Sequence, residues 1–389
     1  MELNKIMLTV GLASTVFLAG CGNDSDYSKT PTVKPTPEVT PPLQVFAPDG
    51  LLKAQIRRTT FGVPHIRADN LESLGFGSGY AQAQDNLCVL ADGFIKANSE
   101  RSMYFGPHAS IDFTTGLPTT EDNGNLVSDF AYKAMKIRAM AEAQYPQFSY
   151  NSRALMDGFS AGYNRFLADI EAGEQTGDPF CSGQPWVKPI DGVDVANYLL
   201  SIALLPGAAN FLDLIFYANP GDLGSNGWGL GKDKTENGRG MVLGNPHFPH
   251  TGNLRFWQSH LTIPGHLDVM GGSLVGMPGT INIGFNKDLA WTHAFSTAEH
   301  FVMYNLELVS GDRMQYMYDE TPMPITKETV QILVNGGPAG MLIAEKDIYT
   351  TPKGPMIEAP VGLAPFPWDD GQAFMPTWRI KIPLTIGLQ

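Results

Sequence analysis

The sequence changes character at Gly224-Ser225, and that change limits what the chain can build. Upstream, apolar residues recur at helical spacing. Leu71, Leu74, Tyr80, Leu87, Leu90 and Phe94 can share one face within "LESLGFGSGYAQAQDNLCVLADGFIKANSERSMYFG", although three glycines weaken its first turns. Residues 128–171 and 191–204 also read as helical, with Leu155, Phe159, Phe166 and Ile170 at intervals near four. Ahead of them, residues 54–70 read as two extended pieces broken at Gly62-Val63-Pro64, because proline disfavours helix in the residue before it. Downstream of Gly224 the runs are short, rich in β-branched and aromatic residues and punctuated by turns. "SNGWGLGKDKTENGRGMVLGN" predicts a hairpin around Asn237-Gly238. "NLRFWQSHLTIPG", "LDVMGGSLVG", "TINIGFNKDLAWTHAFST" and "FVMYNLELV" predict further strands. A helical first part followed by a stranded second part points to an α+β fold, one kind of layer packed on the other.

Composition narrows the class. A chain of 389 residues, 43% apolar and 17% charged, can bury the core of a globular enzyme. Its formal charge of -13 and lack of any Lys/Arg run exclude nucleic acid as a partner, since phosphates reward clustered bases. Residues 1–21 read as an export signal: Lys5, then "IMLTVGLASTVFLAG", too short to serve as a membrane-spanning helix, then Cys21. "LAGC" has the form of a bacterial lipobox, which would acylate Cys21 and hold the protein on the periplasmic side of a membrane by a lipid anchor alone. A plain secretory peptide, giving a soluble periplasmic or secreted protein, is the alternative. Residues 22–43, rich in Pro and Thr, predict an extended tether, leaving 44–224 as the mostly helical part and 225–389 as the stranded part. Of the other two cysteines, Cys88 falls on an apolar helical pattern, which favours a buried free thiol over pairing with Cys181.

Gly158-Phe159-Ser160-Ala161-Gly162 matches the G-x-S-x-G nucleophile elbow. That elbow needs a strand before its serine and a helix after it, whereas here the helical period runs straight through Ser160. His247 and His250, and Glu299-His300, prompt a check for metal. No H-E-x-x-H, Cys/His cluster or carboxylate-rich loop accompanies them, and neither metal nor cofactor is expected. Ser225 stands out because it begins a strand; other Gly-Ser pairs, such as Gly77-Ser78 and Gly272-Ser273, have no such setting. Scission of the Gly224-Ser225 bond would free an α-amino group that titrates close enough to neutrality to act as the serine's own base. Gly224 leaves room for the hydroxyl to reach its carbonyl. No separate His-Asp relay is then required.

"IRRTTFGVPHIRADNLESLGFGSGYAQAQDNLCVLAD", "ERSMYFG", "GSNGWGLG", "VLGNPHFP", "LTIPGHLDVMGGSLVGMPG" and "INIGFNKDLAWTHAFSTAEHFVMYNLELV" resemble the penicillin acylase superfamily of N-terminal nucleophile hydrolases. They are most similar to its acyl-homoserine lactone and aculeacin-type acylases. The likeness covers roughly residues 52–112 and 222–310. It implies a four-layer αββα sandwich and self-cleavage before Ser225 into α and β chains that stay together. It also implies loss of a spacer within "LLPGAANFLDLIFYANPGDLG". By motif position Ser225 is the nucleophile, His247 orients it, and the Phe295 N–H is one oxyanion donor, a role typically worth about 3–4 kcal/mol of barrier. Phe248, Leu274 and Met277 match positions lining the acyl pocket, where each buried methylene of a fatty tail gains about 0.8 kcal/mol. Plain core packing is an equally open reading for these three. The implied substrate is an N-acyl homoserine lactone or similar acylated amine. Penicillin or cephalosporin acylase is the alternative.

The sequence also departs from that family. Its members supply a second oxyanion donor, an asparagine, further along than Gln389, and "PTWRIKIPLTIGLQ" no longer follows their pattern. The expectation is a C-terminally truncated chain, an incomplete sandwich with an unpaired sheet edge and a rate lowered by about a hundredfold or more. A non-catalytic lipoprotein remnant or small-molecule binder is the rival of another class. The family's calcium site is not expected, because Phe301 and Val302 stand beside Glu299 where a hard cation would want carboxylates.

Overall fold

The computed structural model of the protein describes residues 42–108, 111–112, 117–118, 124–204, 224–294, 302–356 and 372–377. The first part runs β1 (Leu43–Phe46), β2 (Lys53–Arg58), β3 (Pro64–Arg67), α1 (Leu71–Ala97), α2 (Arg101–Phe105), β4 (Ile111–Asp112), β5 (Leu117–Pro118), α3 (Gly124–Ala134), α4 (Ile137–Gln144), α5 (Tyr150–Glu171) and α6 (Gly192–Ala203). The second part is stranded. β6 (Gly224–Leu230), β7 (Met241–His247), β8 (Phe256–Ile263), β9 (Leu267–Leu274), β10 (Ile283–Phe285) and β11 (Ala290–Trp291) come first. β12 (Val302–Val309), β13 (Asp312–Tyr318), β14 (Thr321–Pro324), β15 (Thr326–Asn335), β16 (Met341–Thr351), β17 (Gly354–Pro355) and β18 (Gln372–Thr377) complete it. The fold is α+β.

A seven-stranded sheet in the order β1-β2-β3-β8-β9-β10-β11 draws strands from both sides of Gly224. The join is β3 against β8, the one parallel pair in this sheet, with His65 opposite His260. There His65 Nδ1 and His260 Nδ1 lie 2.7 Å apart, and His260 Nε2 reaches Asp268 Oδ1 at 2.6 Å. Burial, then the neighbouring His260 and Arg57, hold His65 below its ordinary pKa.

Helix α1 is the centre of the helical layer. Asn70 caps it by accepting from Ser73 N, with Glu72 in its first turn to complement the dipole. One side lies on the sheet: a Cβ on Gly77 would sit 2.6 Å from Ala54 Cβ and 2.7 Å from Ile66 Cγ2. The other side meets α5 backbone to backbone. Gly75 and Gly79 face the carbonyls of Leu155 and Phe159, while Gly158 and Gly162 face those of Glu72 and Phe76, each a place where any Cβ would collide. The glycines that cost α1 helical propensity are those that admit its neighbours. Leu74, Phe76, Leu90, Ile95 and Phe159 are completely enclosed in the resulting core.

The helix expected over 128–171 is instead three. Lys136 adopts a left-handed conformation (φ 54°) between α3 and α4, and a short turn containing Pro146 separates α4 from α5. A second, smaller core of Leu306, Leu308, Tyr316, Ile325 and Met356 belongs to the later strands. Of the four layers implied by resemblance, the described residues supply one helical layer on the seven-stranded sheet, with β14-β13-β12-β18 and β15-β16-β17 as further sheets.

Candidate active site

Strand β6 starts at Gly224 and pairs antiparallel with β7, so that Gly224 stands opposite His247, Ser225 opposite Pro246 and Asn226 opposite Asn245. The seven-residue ladder is closed by a polar turn in which Gly238 takes φ +64°, the conformation that turn needs. Pairing brings the imidazole to the bond expected to be cut: a Cβ on Gly224 would lie 3.2 Å from His247 Nδ1. The Ser225 hydroxyl, half-buried, donates to the Gly224 carbonyl oxygen. Its oxygen therefore lies beside the carbon it would attack.

Asn245 was not singled out from sequence, yet its Nδ2 lies 3.2 Å from His247 Nε2. The amide thus reaches one ring nitrogen while the other, Nδ1, faces Gly224. The signal was available: two residues apart on a strand means one face.

The geometry thus joins a serine, the peptide bond before it and an oriented histidine on one hairpin. The profile of the penicillin amidase family matches residues 53–383, covering helical and stranded parts alike. The chain belongs to the penicillin amidase family. It is similar to the acyl-homoserine lactone acylase PvdQ of Pseudomonas fluorescens, 38% identical over 343 residues that make up 82% of this chain and 42% of that protein. Against aculeacin-A acylase of Actinoplanes utahensis it is 36% identical over 357 residues, 84% of this chain and 43% of the other. A solved thermostable penicillin G acylase from Alcaligenes faecalis aligns with 46% of this chain and 95% of that one, at 19% identity and a TM-score of 0.32. This penicillin amidase family chain therefore spans less than half the length of the curated relatives it matches.

The other residues singled out from sequence fall into three groups. Cys21, Phe295 and Glu299 lie outside the described residues. Phe248, Leu274 and Met277 all pack against the main core: Leu274 is buried, and Phe248 meets Phe256 edge-on with centroids 5.4 Å apart. The turn from Leu274 to Met277 is clamped, with Gln82 Nε2 donating to the Met277 carbonyl, Gly276 N to Gln82 Oε1 and Tyr198 OH to the Val275 carbonyl. An open cleft of about 640 Å³ lies elsewhere, lined by Arg58, Phe61, Asp85, Phe166 and Trp257 among others. Ser160 is a buried residue of α5 that donates to the Asp157 carbonyl, as its helical period required.

One expectation is overturned. Cys88 and Cys181 form a disulfide, with Cα atoms 5.5 Å apart, instead of free thiols. Periodicity placed Cys88 correctly on the helix, but it could not show that the loop after α5 folds back to bring Cys181 beside it.

Proposed function

We propose that this chain is part of an acylase that cuts itself before Ser225 and then hydrolyses the amide of N-acyl homoserine lactones or similar acylated amines, releasing the fatty acid. The observation that carries this reading is the placement of the Ser225 hydroxyl on the Gly224 carbonyl with His247 across the ladder. The names of the relatives, acyl-homoserine lactone acylase and aculeacin-A acylase, support the substrate class.

In self-cleavage, Ser225 Oγ bonds to the Gly224 carbonyl carbon and its proton passes to the departing Ser225 nitrogen. The C–N bond breaks to leave an ester, and water splits that ester into the Gly224 carboxylate and a chain starting at Ser225. In turnover, the same oxygen attacks the substrate carbonyl. The new α-amino group takes the hydroxyl proton and returns it to the leaving amine; water then releases the acid. His247 orients the hydroxyl and the amine, and the Phe295 N–H is assigned to the oxyanion. Acylation of Cys21 and residence on the periplasmic side of a membrane belong to the same proposal. The lipobox supports the anchor.

The intact mass of the purified chain tests this reading. Wild type should give two fragments, one beginning Ser-Asn-Gly-Trp, while Ser225→Ala should stay whole. Wild type that also stays whole would remove the nucleophile assignment. Parallel assays of the full chain on decanoyl-homoserine lactone and penicillin G separate the favoured substrate class from a penicillin acylase.

A further inference from the structure

The hairpin that carries Ser225 and His247 forms a two-stranded sheet of its own, outside the ladder of the seven-stranded sheet. Most of its residues are open to solvent, Gly227 and Gly244 included, with Trp228 65% exposed. Among the described residues no backbone ladder joins it to that sheet, and side-chain contact is what seats it there. That contact is a notch made by two glycines facing each other, Gly227 opposite Gly244. Both look onto Thr292, the residue after β11. A Cβ on Gly227 would lie 2.6 Å from Thr292 Cγ2; one on Gly244 would lie 2.7 Å from Thr292 Oγ1 and 3.0 Å from its Cβ. Ile283 Cγ2, at 3.4 Å from the same point on Gly244, closes the notch from β10.

Thr292 Oγ1 is enclosed and makes no hydrogen bond among the described residues. The side chain acts there by shape, each branch filling the space left by one glycine. Ser225 is two residues from Gly227, roughly 7 Å along a strand. A shift at the notch is therefore passed to the scissile bond by a short, paired segment.

We propose that Thr292 is a positioning residue: by filling the Gly227/Gly244 notch it seats the nucleophile hairpin on the sheet and holds Ser225 and His247 in register with the body of the protein. Its link to catalysis rests on the Ser225 reading above. The seating itself does not.

The geometry makes the test specific, because each glycine meets a different part of Thr292. Gly227→Ala strikes the methyl, and removing only the methyl with Thr292→Ser leaves that Cβ 4.0 Å from Thr292 Cβ, an ordinary contact. Gly244→Ala strikes the hydroxyl and Cβ, which Thr292→Ser retains. Hydrogen exchange of the full chain, read by mass spectrometry on peptides 224–230 and 241–247, reports the seating directly. Both alanine variants should exchange faster in the hairpin by about tenfold or more, with α1 and α5 unchanged. Thr292→Ser should restore protection to Gly227→Ala and not to Gly244→Ala. Thr292→Val, which keeps the shape, should exchange like wild type. The fraction cut before Ser225 should follow the same order.

Rescue of both alanine variants, rescue of neither, or wild-type exchange in Gly227→Ala would overturn the proposal. If wild type is never cut but the exchange pattern holds, the nucleophile reading falls and the seating stands.

Discussion

Gly162→Ala puts the α1–α5 seam to a test of sign. In an exposed helix the change would stabilise by about 1 kcal/mol, because alanine forms helix better than glycine. Here the new Cβ would lie 1.9 Å from the Phe76 carbonyl oxygen and 2.8 Å from Tyr80 N. Carbon meets a carbonyl oxygen without clash at about 3.3 Å, so against the observed 1.9 Å the helices must separate by about 1.4 Å. A gap of that size forfeits much of the dispersion between the packed walls, which include Phe76, Phe159 and Tyr163. It also stretches the 2.7 Å bond by which Tyr80 OH donates to Asp169 Oδ2 across the same two helices. Overpacking costs about 1–3 kcal/mol and more where backbone must move; taking the upper end and subtracting the propensity gain leaves a net loss of about 2 kcal/mol. Urea unfolding followed by circular dichroism measures it, with exposed Ala143→Gly on α4 as the propensity control at about 1 kcal/mol. Gly79→Ala, which meets the Phe159 carbonyl at 2.0 Å, should be costly alone and add little on top of Gly162→Ala, since the first change has already parted the helices. A Gly162→Ala protein as stable as wild type would refute the reasoning.

The Cys88–Cys181 bridge closes a loop with a sequence separation of 93, so reducing it should lower stability by about 4 kcal/mol. Urea midpoints with and without reductant measure this, and Cys88→Ala/Cys181→Ala should match the reduced protein. Asp129 is buried where it accepts from Arg101 N and Ser102 N, and burial pushes its pKa up from 3.8 to about 6. A carboxyl raised on folding favours the native state when protonated; that contribution is whole below pH 4 and is lost as pH rises through 6. Relative to Asp129→Asn, wild-type stability should therefore fall by up to about 3 kcal/mol between pH 4 and pH 7. A flat difference curve would show that Asp129 ionises freely.

What could be read in the sequence follows from which interactions are local. The hairpin was legible because strand alternation, Asn237-Gly238 and the Gly224-Ser225 start all lie within the segment that folds. Its register then places His247 opposite Gly224 with no help from the rest of the molecule. The rejection of Ser160 as a nucleophile was equally local, resting on a helical period that α5 follows from Tyr150 to Glu171. The breaks at Lys136 and the disulfide were not legible, because a non-glycine left-handed residue and a partner 93 positions away leave no trace in periodicity.

Glycine lies between these cases. Sequence gives its cost in a helix or strand at once, but its reason is the atom that a Cβ would strike, and that atom belongs to a distant segment. Gly75 and Gly79 read as weak points of α1 until the Leu155 and Phe159 carbonyls are seen against them. Gly227 and Gly244 read as ordinary hairpin residues until Thr292 is seen between them. In both places a lost side chain on one element is matched by an intruding group on another. A substitution there should therefore be judged by its partner: Gly227→Ala alone should unseat the hairpin, and Gly227→Ala with Thr292→Ser should seat it again.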